Sequence, residues 1–136
     1  MKILVDTPIW SLAFRKKKDN VNNITIECLT DLIRNGRIAI IGPIRQEVLS
    51  GISDRNKFND IKEKMSVFSD FDLQSSDYEF AAECSNECRR NGIQGSHTYF
   101  LICAVAIKNG WEIFTEDNDF HGYEKYIPIK LFKINQ

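Results

Sequence analysis

Four acidic side chains from three distant segments of this 136-residue sequence are its strongest candidates for chemistry: Asp6, Glu47, Asp117 and Asp119. Asp6 directly follows a short apolar run, and Asp117 and Asp119 follow another apolar run late in the chain. Glu47 lies one turn into a segment that opens with proline. Ligands of parallel sheets bind beyond the carboxyl ends of the strands, so these acids are expected to converge at one edge of a sheet.

Converging carboxylates have a short list of chemical uses. Like charges at close range raise one another's pKa unless a cation lies among them. Mg²⁺ and Mn²⁺ prefer oxygen ligands, and such an ion activates water and stabilises the oxygens of a phosphodiester during in-line displacement. We therefore predict metal-dependent hydrolysis of a nucleic-acid backbone, with Asp6, Glu47 and Asp117 as metal ligands and Asp119 further out. For Asp6 taken alone, helix capping is an equally good explanation.

Alternating apolar runs and amphipathic segments predict the elements that would position these acids. Segments with helical periodicity lie between the apolar runs that are predicted to be strands. This alternation favours an α/β fold with a mainly parallel sheet of about five strands. The predicted strands lie at residues 2–5, 37–41, 67–71, 111–115 and 129–132. The length predicts a single domain over residues 1–136.

Composition argues against several classes of protein. A net charge of −1 is unlike that of a protein that simply coats nucleic acid, although a local basic patch can serve an RNA enzyme. The apolar runs are shorter than the ~20 residues that span a bilayer, and the stretch after Lys2 is too short for a signal peptide. A cytoplasmic protein without membrane contact is expected. An aspartyl-phosphate phosphatase would have a second Asp where Pro8 stands.

Four stretches, in their order and spacing, resemble PIN domains, and in particular the VapC-type toxins of type II toxin–antitoxin systems. They are Ile3-Leu4-Val5-Asp6-Thr7, the segment from Pro43 to Leu49, Gly92-Ile93-Gln94-Gly95-Ser96, and Phe114-Thr115-Glu116-Asp117-Asn118-Asp119-Phe120. The resemblance covers essentially the whole chain. It implies a three-layer α/β/α sandwich and a Mg²⁺- or Mn²⁺-dependent endoribonuclease that commonly acts on tRNA or rRNA. It also implies a homodimer and a cognate antitoxin whose C-terminal segment covers the site.

Tyr99 departs from the family pattern, which has a further acid at the start of the buried helix near residue 100. If Ser96 caps that helix, position 99 is where an acid would complete a capping box and benefit from the helix dipole. A tyrosine has a pKa near 10 and is a poor anionic ligand. Either the chain is an attenuated family member, or a single-nucleotide change from aspartate was selected during cloning of a toxic protein. Both explanations predict weak metal binding and weak or absent RNase activity.

Other polar residues have two interpretations each. Thr7, Ser96 and Thr115 are expected to orient acids or metal-bound waters, or simply to cap and turn the chain. His97 is a candidate RNA contact or a structural residue, and the basic run from Arg15 to Lys18 either contacts phosphate or an acidic antitoxin segment, or is a solvated loop. The alternative function is a non-catalytic PIN-like module that binds antitoxin or RNA, which Tyr99 alone supports.

Overall fold

Three short strands form one parallel sheet in the computed structural model, which describes residues 1–15 and 23–134. The strands are β1 (Ile3–Val5), β2 (Ile38–Ala39) and β3 (Glu112–Phe114), in the order β2-β1-β3. Ile3 lies opposite Ile38 on one side and opposite Glu112 on the other. Because the strands are parallel, the residues that follow them emerge at the same edge of the sheet.

Helices pack around the sheet in the described part of the chain. They are α1 (Thr7–Ala13), α2 (Ile24–Arg34), α3 (Gly42–Ser50), α4 (Arg55–Met65), α5 (Ser75–Arg90), α6 (His97–Asn109) and α7 (Asp119–Glu124). α1 contacts α2 and α3, α3 contacts α4, and α6 packs against both α5 and β3. This arrangement confirms the predicted α/β fold.

The segment predicted as a third strand, residues 67–71, is not a strand. One ladder-like hydrogen bond remains, from the Phe71 N–H to the Ile40 carbonyl at 2.8 Å. The Arg45 guanidinium takes the place of a neighbouring strand, because it donates to the carbonyls of Met65 (2.9 Å) and Phe68 (2.6 Å) and pairs with Asp70. A side chain thus satisfies the Phe68 carbonyl, a backbone acceptor that a ladder would otherwise use. Arg45 is therefore structural.

The predicted last strand, residues 129–132, is reduced to a single parallel bridge between Leu131 and Ile113. The Ile113 N–H donates to the Lys130 carbonyl at 2.9 Å, and the Ile113 carbonyl accepts the Phe132 N–H at 2.8 Å. The described sheet therefore has three strands rather than about five, and two further segments run alongside it.

The buried core is centred on β1 and α6. Every residue of β1 is buried, and α6 is buried continuously from Phe100 to Ala106, which makes it the central helix. Gly110 ends α6 with a φ of +69°, a left-handed conformation that favours glycine. No helix among residues 1–15 and 23–134 is long and apolar enough to cross a membrane.

An aromatic cluster ties α7 to the start of α6. The Tyr123 ring lies 4.9 Å from that of Phe100 and 5.3 Å from that of Phe120, between ring centroids. The Tyr123 hydroxyl is buried and has no hydrogen-bond partner among the described residues. It lies against Gly95, where an added Cβ would overlap the hydroxyl oxygen and approach Cζ to 2.8 Å. Glycine is therefore required at position 95 by close packing.

We predict that Tyr123→Phe stabilises the fold, because an unsatisfied buried hydroxyl costs about 1–3 kcal/mol. Gly95→Ala should lower the free energy of unfolding by about 1–3 kcal/mol through overpacking. Urea denaturation of both single variants and the double variant measures these effects. In the double variant part of the Gly95→Ala loss should be recovered, since Phe lacks the oxygen that lies nearest to the new Cβ. Destabilisation by Tyr123→Phe would contradict the packing described here.

Candidate active site

The Asp6 carboxylate is fully buried where β1, β3 and α1 meet. Its Oδ1 accepts the Thr7 N–H at 2.8 Å, so Asp6 is the N-cap of α1, and Oδ2 accepts the Thr115 hydroxyl at 2.8 Å. The Asp6 N–H also donates to the Phe114 carbonyl at 2.9 Å, which continues the pairing of β1 with β3. The carboxylate is therefore fixed at the carboxyl end of the sheet from both neighbouring elements.

Burial raises the pKa of Asp6 above its ordinary value, and this is the largest influence on the group. Hydrogen bonds from Thr115 and Thr7 lower the pKa, while the charges of Asp117 and Glu47 raise it. The net result is a raised pKa. The surroundings thus disfavour the charged form, which is the condition that a nearby cation relieves.

Glu47 is connected to Asp6 through Thr7. The Thr7 hydroxyl donates to Glu47 Oε1 at 2.8 Å, while the Thr7 N–H donates to Asp6. Glu47 itself is exposed on α3, so its carboxylate faces the open side of the site. Thr7 acts here as a bridge between two acids, and Asp6 rather than Thr7 caps α1.

Thr115 plays the matching role on the other side. Its hydroxyl donates to Asp6 and accepts the Asp117 N–H at 3.0 Å. Asp117 Oδ1 in turn accepts the Asp119 N–H at 2.9 Å, which turns the chain into α7. Asp119 is exposed at the first position of α7, and its charge contributes to the raised pKa of Tyr99. Asp119 therefore lies at the margin of the acidic group.

Tyr99 enters the acidic group directly. Its hydroxyl donates a short hydrogen bond to Asp117 Oδ2, and its ring packs 4.8 Å from that of Phe120, between centroids. Burial raises the pKa of Tyr99 most, and the hydrogen bond to Asp117 and the charge of Asp6 add to the effect. Tyr99 is therefore a neutral donor at physiological pH. The Tyr99 N–H donates to Ser96 Oγ at 3.1 Å, so Ser96 caps α6 as predicted.

The residues present do not complete a metal centre. Carboxylate oxygens are suitable ligands for Mg²⁺ or Mn²⁺, but residues 1–15 and 23–134 contain no group of three His, Cys, Asp or Glu side chains arranged to hold an ion. Both oxygens of Asp117 already accept hydrogen bonds, one from Asp119 and one from Tyr99. Position 99 thus contributes a hydroxyl donor where an acid would add an anionic ligand.

Two predicted contacts lie away from the carboxylates. His97 is exposed and lines a cleft between α5 and α6. Arg15 lines a smaller cleft of about 190 Å³ beside Glu47, together with Lys57, while residues 16–18 of the predicted basic run lie outside the described part of the chain. The sequence interpretation missed the aromatic support of Tyr99 by α7, although Phe120 and Tyr123 are three residues apart and share one helical face.

Comparisons with known proteins agree on the fold. Residues 3–126 match the family model of the PIN domain. No curated protein matches the chain in sequence. Among solved structures, the chain is similar to FitAcB from Neisseria gonorrhoeae, with a TM-score of 0.77, 18% identity and coverage of 96% of both chains.

Two further solved structures are similar. VapBC2 from Rickettsia felis, bound to a DNA fragment from their promoter, has a TM-score of 0.77 and 18% identity, with 97% of this chain and 98% of that chain covered. FitAB bound to an IR36 DNA fragment has a TM-score of 0.72 and 18% identity, with 96% and 93% covered. The family match spans nearly the whole described chain. The chain therefore belongs to the PIN domain family.

Proposed function

We propose that this chain is a nuclease toxin whose scaffold is built for divalent-metal-dependent cleavage of RNA, and that Tyr99 attenuates the activity. PIN domains are generally nucleases, which supports the class of reaction. The observation that carries the proposal is the set of hydrogen bonds that places Glu47 and Asp117 beside the buried Asp6. The hydrogen bond from the Tyr99 hydroxyl to Asp117 supports the attenuation. Three carboxylates are held at one edge of the sheet, and the fourth position has the wrong chemistry for a metal ligand.

The contacts of this chain give each carboxylate a defined orientation. Thr7 holds the Glu47 carboxylate relative to Asp6, and Thr115 holds the Asp117 backbone relative to Asp6. The Asp117 carboxylate is oriented by the Asp119 N–H and the Tyr99 hydroxyl. Such fixed geometry is useful to an enzyme, because pre-oriented groups need no reorganisation during the reaction. A merely capping Asp6 would need only Thr7, so the second set of contacts favours a functional site.

A partner protein is part of the proposal. Similar folds occur in solved structures of VapBC2 and FitAB, both bound to DNA fragments. Because the resemblance to VapC-type toxins implies an antitoxin, we propose that this chain associates with a cognate antitoxin whose C-terminal segment covers the carboxylates. A homodimer and a tRNA or rRNA target belong to the same proposal.

A second function, a non-catalytic PIN-like module that binds antitoxin or RNA, is favoured by the same Tyr99–Asp117 hydrogen bond. In that case the bond is a permanent replacement for a metal ion rather than an attenuation of an enzyme. The two functions differ in one outcome, which is whether an acid at position 99 creates cleavage.

Tyr99→Asp is expected to raise Mn²⁺-dependent cleavage of total tRNA by at least about tenfold over the parent chain. The reason is that aspartate supplies an anionic oxygen and releases Asp117 Oδ2. Product formation on a denaturing gel, with and without EDTA, measures the change. The matched control is the double variant Tyr99→Asp with Asp6→Asn, which should be inactive.

Tyr99→Phe tests whether the parent is inactive because the tyrosine hydroxyl blocks Asp117 or because position 99 lacks a carboxylate. It removes the hydroxyl but adds no carboxylate, so it should stay as inactive as the parent. If both Tyr99→Phe and Tyr99→Asp cleave RNA equally well, the claim that position 99 lacks an acidic ligand is contradicted. If Tyr99→Asp is inactive, the non-catalytic module is favoured.

Asp6→Asn should raise the melting temperature at neutral pH, as expected for a functional residue that is costly to the fold. Burial raises the folded-state pKa of Asp6, so its ionised form lowers stability above that pKa, and the loss disappears below the unfolded value of about 3.9. The advantage of the variant should therefore shrink as the pH falls. Calorimetric melts over pH measure it, with the exposed Asp72→Asn as control. A lower melting temperature at neutral pH would count against the account.

A further inference from the structure

A groove of about 400 Å³ runs between α5 and α6. Its head is lined by Gly95, His97 and Arg89, and its far end by Tyr78. Tyr78 and Arg89 are eleven residues apart on one face of α5, which corresponds to about 16 Å along the helix at 1.5 Å per residue. The volume lies within the range of sites that bind small ligands or one or two residues of a polymer.

The lining of this groove differs in charge from the rest of the chain. The whole sequence has 19 Asp and Glu residues, yet none of them lines the groove. The lining includes Arg89, His97 and two neutral hydrogen-bonding side chains, Ser85 and Asn86. Arg89 forms no ion pair within the described ranges, although its neighbour Arg90 pairs with Glu87 at 3.1 Å.

Tyr78 adds an aromatic surface at the far end. Its side chain is 52% exposed, in contrast to the buried Tyr123, and it has no ring contact in the described part of the chain. Exposed aromatic rings that accompany a basic groove are the usual means of holding unpaired bases, because every base offers a face for stacking.

We propose that this groove binds a short stretch of single-stranded RNA at a surface separate from the carboxylate site. Arg89 contacts a phosphate at the head, where His97 also lies, and Tyr78 stacks on a base at the far end. Ser85 and Asn86 provide hydrogen bonds to base edges or to ribose. The assignment rests on the proposed ribonuclease function for the nature of the ligand, and it adds a contact surface for the strand away from the carboxylates.

The absence of lining carboxylates favours a polyanion over a peptide with basic residues. Strand binding through one phosphate contact and one stacked base is also compatible with the weak overall charge of the chain, since only a local patch is needed. A second copy of this chain is the competing occupant of the groove, and sedimentation of the variants tests for it.

Fluorescence anisotropy with fluorescein-labelled oligouridine, in EDTA to prevent cleavage, tests the groove. Arg89→Ala should weaken binding by about five- to tenfold and make the salt dependence shallower by about one phosphate contact. Tyr78→Ala should weaken binding by about fivefold or more through lost stacking. Arg90→Ala, which removes the same charge from the same helix outside the groove, should stay within about twofold of the parent.

Equal weakening by Arg89→Ala and Arg90→Ala would overturn the proposal, because it would indicate general charge attraction. Unchanged RNA affinity in Arg89→Ala and Tyr78→Ala would overturn it as well, and conversion of a dimer to a monomer by these variants in sedimentation would then assign the groove to a second copy. Circular dichroism confirms that each variant is folded. RNA binding that depends on the groove, together with no cleavage by Tyr99→Asp, would refute the ribonuclease function and leave the groove assignment standing. Cleavage by Tyr99→Asp, together with RNA binding that does not depend on the groove, would refute the groove assignment alone.

Discussion

The burial of one carboxylate, Asp6, is the constraint around which the site is organised. A buried charge is costly unless it is hydrogen-bonded, and Asp6 obtains one donor for each oxygen, from Thr7 and from Thr115. Each donor residue also holds another acid, Glu47 in one case and Asp117 in the other. The contacts that make Asp6 tolerable therefore also fix the positions of its neighbours.

Tyr99 shows how the chain balances these charges with its own atoms. The acids around Asp6 repel one another, and the Tyr99 hydroxyl offers Asp117 a neutral donor. The ring is supported by Phe120 and, at 6.4 Å between centroids, by Tyr123, so its position is set by α7 as well as by α6. A hydroxyl donor and a cation are alternative ways to satisfy the same carboxylate, so we expect the residue at position 99 to affect the chemistry available to the site.

Much of this organisation could be predicted from the sequence, because acids directly after apolar runs and a proline at a helix start are local signals. The family and the α/β fold were predicted correctly, and so was the Ser96 cap. The predicted strand at residues 67–71 was wrong, since nothing local reveals that the Arg45 side chain satisfies the Phe68 carbonyl and pairs with Asp70. The sequence also marked Tyr99 as anomalous without indicating its partner, because the contact with Asp117 depends on how α6 and the segment after β3 pack together.

Calorimetric titration of Mn²⁺ into the parent chain and into Tyr99→Asp tests the central claim most directly, because it measures the acidic site without requiring a substrate. We expect the variant to bind the ion at least about tenfold more tightly than the parent, and Asp6→Asn in the variant background to abolish the gain. Equal binding by the parent and the variant, or no binding by either, would contradict the claim that position 99 lacks one ligand of a metal site formed with Asp6, Glu47 and Asp117.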